Sequence, residues 1–104
     1  MRQSQAGRIL RIHISESDRH DGKPLYEAIV AKCRELNIAG ATVFQGLEGY
    51  GETAEMHRRR DHPIIITIVD RAENLDRLVP VVEDMMDTGL IAASDVEMIR
   101  VEKG

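Results

Sequence analysis

Residues 63–70 read PIIITIVD, and the alternation sends Ile64, Ile66 and Ile68 to one side of an extended chain and Ile65, Thr67 and Val69 to the other. Both sides are apolar, so the expectation is a strand covered on both faces. Asp70, with Glu73 three residues later, has the form of a capping box that opens a helix. The apolar positions of that helix are Leu75, Leu78, Val79, Val82 and Met85 or Met86. Pro80 inside the run removes a hydrogen bond and is expected to kink or shorten it.

Working outward, ILRIHI (9–14) has the period of two that marks another strand. SESDRHDGK (15–23) is a polar connection, and Pro24 suits the first turn of a helix because its missing N–H costs nothing there. Leu25, Ile29, Cys33 and Leu36 fall at helical spacing, and Asn37 is a helix stop. GATVFQGLEGYGE (40–52) reads as a glycine-punctuated strand, followed by a polar segment over 52–62. Gly89 is a break, and DVEMIRV (95–101) is the last strand.

The order β-α-β-β-α-β predicts an α+β, ferredoxin-like fold: a four-stranded antiparallel sheet with two helices on one face. Residues 1–104 form one domain, with 1–7 expected as a flexible N-terminal tail. That arrangement leaves the other sheet face bare. Its expected residues, Ile9, Val43 and one row of the 63–70 strand, are too apolar to stay in water. An oligomer with sheet packed on sheet follows.

Fourteen basic against eighteen acidic residues give a net charge of −4, which argues against a nucleic-acid partner. The single cysteine, Cys33, cannot form an internal disulfide, fits a reducing compartment and sits on an apolar helix stripe as core packing. The N-terminus has no apolar leader, and no apolar run approaches the roughly 20 residues of a membrane span. A cytoplasmic protein is expected.

Three stretches, ISESDRHDGKPLYEAIV, IAGATVFQGLEGYG and IVDRAENLDRLVPVVEDMMDTGLI, occur in this order and resemble the PII-like proteins of the domain of unknown function 190 family. The resemblance covers about Ile9 to Val101. It implies a ferredoxin-like protomer assembled as a homotrimer, binding adenine nucleotides in clefts between subunits. It also implies a partner-docking loop after the second strand, serving a membrane transporter or another regulated protein. Gly49, Tyr50 and Gly51 lie where PII proteins have a Gly-Phe-Gly at the base of that loop. Thr88 and Gly89 match the Thr-Gly that opens the PII phosphate-binding loop. PII chains continue there with Lys-Ile-Gly-Asp-Gly-Lys, whereas this chain reads Leu90-Ile-Ala-Ala-Ser-Asp95. The second glycine and the phosphate lysine are missing, which favours AMP or ADP over magnesium-bound ATP.

The glycines themselves have two readings. In one, Gly46 marks a bulge or bend, and Gly49 and Gly51 provide positive φ where the strand turns away. In the other, bared backbone N–H groups over 49–52 receive a ligand's phosphate or ring. A dinucleotide fingerprint is excluded, because those glycines must precede a helix. His57, Arg58, Arg59 and Arg60 are either a solvated charge run or an anion- or partner-contacting patch. His13, His20, His57 and His62 show no metal-ligand spacing, so no metal site is assigned. The polar connection ESDRHDG offers Glu16 and Arg19 as ligand contacts against a neighbour's glycine strand. The candidate ligand set is therefore Glu16, Arg19, Gly46, Gly49, Tyr50, Gly51, Thr88 and Gly89, with no catalytic residue and no required cofactor. The expected function is a signalling regulator that senses a small anion. The alternatives are a metal-binding trimer like the cation-tolerance proteins, and a small enzyme with Glu16 or His57 as its acid–base group.

Overall fold

A computed structural model of the chain describes residues 3–49 and 61–103. Its main elements are β1 (Gln3–Ser15), α1 (Leu25–Glu35), β2 (Ala41–Gln45), β3 (Pro63–Asp70), α2 (Ala72–Met85) and β4 (Leu90–Arg100). They form one antiparallel sheet in the order β2-β3-β1-β4, the expected ferredoxin-like topology. Register places Leu10, Ile12 and Ile14 beside Ile68, Ile66 and Ile64. These six side chains meet Leu25, Ile29 and Cys33 of α1 and Leu75, Leu78, Val82 and Met85 of α2 in a single core. Both helices thus cover the same sheet face, and each fully buried aliphatic side chain contributes about 1.5–3 kcal/mol.

The other face is uncovered in the protomer. Ile65, Thr67 and Val69 lie on it as expected, and so does Ile9 opposite Val69. Val43 does not. It pairs with Ile66 and faces the helices, while Phe44 pairs with Ile65 on the open side and is 54% exposed.

Helix ends differ in detail from the sequence expectation. Pro24 is the N-cap of α1 rather than a first-turn residue. At the other end Asn37 takes φ 57°, the Ile38 N–H donates to the Cys33 carbonyl (2.9 Å) and the Asn37 N–H to that of Arg34 (3.1 Å). That pair of bonds closes the helix in a Schellman turn. α2 runs through Pro80 without shortening. Pro80 and Asp76, whose carbonyl the proline leaves without a donor, are both exposed, so water can serve that carbonyl.

The capping box at the head of α2 is not formed. Arg71 is the N-cap, and Glu73 instead lies 3.5 Å from the Arg71 guanidinium. Asp70 turns inward and is 6% exposed. Its Oδ2 accepts from the Ala39 N–H (2.9 Å), and its Oδ1 from the Arg71 N–H (2.7 Å) and Asn74 Nδ2 (3.0 Å). One carboxylate thereby ties the entry of β2 to the β3–α2 junction.

The sheet is also longer than expected at its termini. β1 begins at Gln3 rather than Ile9, and β4 at Leu90 rather than Asp95. Residues 3–7, expected as a tail, pair with 96–100 as a two-stranded ribbon beyond the last β3 partner of β1, Arg8. Arg8 anchors the base of this ribbon. Its Nη1 donates to Asp76 of α2 (2.8 Å), and its Nε lies 3.5 Å from Asp95 of β4. No helix among the described residues is long and apolar enough to cross a membrane.

Burial opposes ionisation of Asp70, but the Ala39 N–H, Asn74 and the Arg71 N–H outweigh it and hold the carboxyl below its ordinary 3.8. The stability contributed by that depression is complete above the ordinary value and is lost as pH falls through the lower, folded-state value. Asp70→Asn should therefore flatten the acid limb of the stability–pH curve. Asp70→Ala should cost about 2–3 kcal/mol at neutral pH, because the Ala39 N–H loses a charged acceptor. Denaturant melts of the three proteins at several pH values test both expectations.

Candidate functional site

Strand direction brings most of the sequence-predicted ligand residues to one end of the sheet. β1 and β2 end there, whereas β3 and β4 begin there, as the pairs Ser15↔Pro63, His13↔Leu90 and Gln45↔Ile64 show. Glu16 follows β1, Gly46 and Gly49 follow β2, and Thr88 and Gly89 precede β4. Glu16 is held by its backbone and its side chain. Its N–H donates to the His62 carbonyl (2.9 Å), and Oε2 accepts from Gln45 Nε2 (3.0 Å). Ser17 donates from N and Oγ to the Asp61 carboxylate (3.0 and 2.7 Å). Asp18 turns the chain by accepting the Ser15 N–H at 2.8 Å. The result is a polar rim around Glu16, one of the two residues, with Arg19, expected as ligand contacts from this connection. Gln45, Ser17, Asp61 and His62 join it through contacts between distant segments.

Arg19 stands on a small ladder where Arg19 and His20 pair with Pro24 and Lys23. Asp21 (φ 50°) and Gly22 (φ 79°) form the two-residue turn. Asp-Gly between paired residues is a strong hairpin signal, and it was present in the stretch read as a loop. Arg19 is exposed and is not brought against Glu16 by any hydrogen bond or ion pair among the described residues.

The glycines after β2 serve packing. The ladder runs unbroken into Gly46, whose N–H donates to the Pro63 carbonyl at 2.8 Å, so there is no bulge at this point. A Cβ on Gly46 would lie 2.7 Å from Pro63 Cγ, and one on Gly49 would lie 3.0 Å from the same atom. Gly49 does not adopt positive φ, contrary to the expectation for it. Both glycines instead leave room for the Pro63 ring. Gly89 is the position that needs glycine for its backbone: φ is 139°, and an added Cβ would fall 2.8 Å from the His13 carbonyl oxygen. Tyr50, Gly51, His57, Arg58, Arg59 and Arg60 lie outside the described residues.

Thr88 and Gly89 are at the β4 edge and Gly46 is at the β2 edge. Three inter-strand spacings, about 14 Å, separate them. Residues 90–95 are strand β4, paired with β1. One protomer therefore presents these candidate residues at two opposite edges of the sheet. A concavity of about 820 Å³ lies at the opposite end of the sheet, lined by Asn37, Asp70, Arg71, Asn74 and Arg100 among others. It is shaped by the projecting ribbon and contains none of the candidate residues.

Among the described residues no group of His, Cys, Asp and Glu is placed to hold a metal ion. Cys33 is buried, and burial pushes its thiol up to about 11, so it is no thiolate nucleophile at neutral pH.

The model of the DUF190 family, described as "Uncharacterized ACR, COG1993", matches residues 7–98. The chain belongs to that family. A UPF0166 protein of Aquifex aeolicus is 34% identical over 98 residues, covering 88% of this chain and 92% of the relative. A UPF0166 protein of Methanocaldococcus jannaschii is 35% identical over 101 residues, covering 91% and 94%. Among solved structures, apo CPII of Thiomonas intermedia K12, a nitrogen regulatory PII-like protein, superposes with a TM-score of 0.67 at 17% identity. The match covers 97% of this chain and all of the other. CPII bound to ADP, AMP and acetate superposes with a TM-score of 0.67 at 19% identity, over 94% of this chain and 93% of CPII. At such identities the likeness is one of fold, and it makes this DUF190 chain PII-like in architecture.

Gly46→Ala should destabilise this DUF190 protein by about 1–3 kcal/mol, because the new methyl overlaps the Pro63 ring. Gly40→Ala, with nothing within 4 Å of its added Cβ, should change stability by no more than about 0.5 kcal/mol. Adding Pro63→Ala to Gly46→Ala should recover part of the loss. A double-mutant cycle read by thermal melting measures the coupling.

Proposed function

We propose that this protein is a cytoplasmic PII-like regulator that assembles as a homotrimer and binds an adenine nucleotide in clefts between subunits. The observation that carries the reading is the division of the candidate site. Gly46 and Gly49 follow the β2 edge of the sheet end, Thr88 and Gly89 precede the β4 edge, Glu16 follows the central β1 between them, and the 820 Å³ concavity lies at the far end. Cyclic assemblies join two different patches of the same chain, so a site left in pieces by the protomer can be completed between copies. The concavity brings Arg71 and Arg100, whose guanidinium forks suit phosphate. The open sheet face, with Ile65, Val69 and Phe44, supplies an apolar surface for packing sheet on sheet.

CPII, of the same fold, is known with ADP and AMP bound, which supports an adenine nucleotide as the ligand class here. A mono- or diphosphate fits better than magnesium-bound ATP, since β4 occupies the stretch of a phosphate loop and the loop lysine is absent. In this reading the ligand is sensed and left intact. Binding at Gly49–Gly51 changes how the following segment, with His57 and Arg58–Arg60, meets a regulated partner such as a membrane transporter.

A thermal-shift screen tests the proposal. AMP or ADP at about one hundred times its dissociation constant should add about 2.7 kcal/mol of stability and be recovered unchanged. Mg-ATP should give the smaller shift. Absence of a shift with every adenine nucleotide would sink the nucleotide reading. Turnover of the ligand would replace it with the enzymatic one, and a shift with divalent cations alone would replace it with the metal one.

A further inference from the structure

The open sheet face has a charge pattern that self-association alone does not satisfy. Arg11 stands midway along β1, a central strand, between Thr67 of β3 and Ala92 of β4. His13 is the next residue on that face, between Ile65 and Leu90. The carboxylates of the four strands are Asp70, Asp95 and Glu97, and all three lie on the helix side: Asp70 and Asp95 sit opposite Arg8, and Glu97 opposite Ala6. Each is also hydrogen-bonded there, to Ala39 N, Arg8 and Ser4 respectively. Among the described residues Arg11 has no ion pair on its own face.

In the sheet-on-sheet trimer proposed above, the open faces of the three copies turn toward one another and bring the same pattern, so cation meets cation. The carboxylates of α1 and α2 cannot compensate, because both helices lie behind the sheet. Enclosing an unpaired guanidinium costs several kcal/mol, which would oppose the apolar gain from Ile9, Ile65 and Val69. A small anion resolves the conflict. Arg11 offers a planar two-pronged donor, Thr67 beside it a hydroxyl, and His13 a ring N–H in either charge state.

We infer that the sheet-to-sheet interface holds a small oxyanion, such as inorganic phosphate, bound by Arg11 with Thr67 and His13, and that assembly is coupled to its binding. The inference rests on the self-assembly proposed above. It concerns a site separate from the nucleotide cleft, which lies at the sheet ends.

The test pairs sedimentation velocity with melting of the assembled protein in millimolar phosphate against chloride of equal ionic strength. The variants are Arg11→Gln and the apolar, similarly sized Arg11→Met. Wild type should gain about 4 °C or more in phosphate, with the assembled fraction rising in parallel. Arg11→Gln should lose that phosphate response while keeping any shift produced by AMP or ADP. Arg11→Met should assemble without phosphate and be indifferent to it, since no charge remains to be neutralised. A wild-type protein that assembles equally in both salts overturns the inference and leaves self-assembly standing. So does a phosphate response retained in Arg11→Gln, or an Arg11→Met protein unable to assemble. A monomer under every condition overturns the assembly reading itself.

Discussion

The carboxylate of Asp70 takes hydrogen bonds from Ala39, Arg71 and Asn74, and the placement of β2 depends on the first of these. Ala39 stands two residues before Ala41, which pairs with Ile68. Once that end is fixed to the β3–α2 junction, β2 runs beside β3 one residue for one residue. Thr42 meets Thr67, Val43 meets Ile66, and the Gly46 N–H arrives at the Pro63 carbonyl. A slip of one position would turn Val43 to the open face and Phe44 into the core. It would also bring a side chain other than glycine against the Pro63 ring. The geometry of the candidate site at one end of the sheet is thus set from the other end by a buried, fully satisfied carboxylate.

Helices cover only one side of this sheet, whereas the central strand β3 is largely apolar on both. That mismatch links the protomer's architecture to its proposed assembly. It also explains why Arg11 and His13 stand out: they interrupt a face otherwise suited to burial. The candidate nucleotide site is divided for a related reason. β2 and β4 are the two edge strands, so motifs that follow one and precede the other are kept apart by β3 and β1.

Much of the fold was legible because it rests on local periodicity. The alternation through Ile64–Val69 and the stripes Leu25–Ile29–Cys33 and Leu75–Leu78–Val82 pointed to the faces now seen buried. Other features are decided by distant partners and were hidden. Gln3–Gly7 has no apolar alternation and becomes strand only because 96–100 lies beside it. Asp70 has the spacing of a helix cap, yet Ala39, thirty-one positions away, recruits it into the interior. Val43, expected on the open face, is turned to the core by its pairing with Ile66. At the candidate site, the family motifs Gly46–Gly49 and Thr88–Gly89 fall at the same end of the sheet. The roles of Gly46 and Gly49 depended on Pro63, and the hydrogen bond from Gln45 to Glu16 joins residues 29 apart. The Asp21-Gly22 turn, by contrast, is readable from local chemistry alone.

The pairing of β1 with β4 has a consequence for the chain's birth on the ribosome. Ser4 bonds Glu97 across 93 positions and Arg8 reaches Asp95 across 87, so the first strand made waits for the last. Until then β1 can pair with β3 alone, and a central strand of the finished sheet spends synthesis as an edge. Contacts of such long sequence separation slow folding, and an exposed apolar edge invites pairing with other nascent chains. The interval between synthesis of β3 and of β4 is therefore when this protein is most open to misassembly. Because the sheet closes through the pairing of residues 3–7 with 96–100, loss of either segment would prolong that exposure.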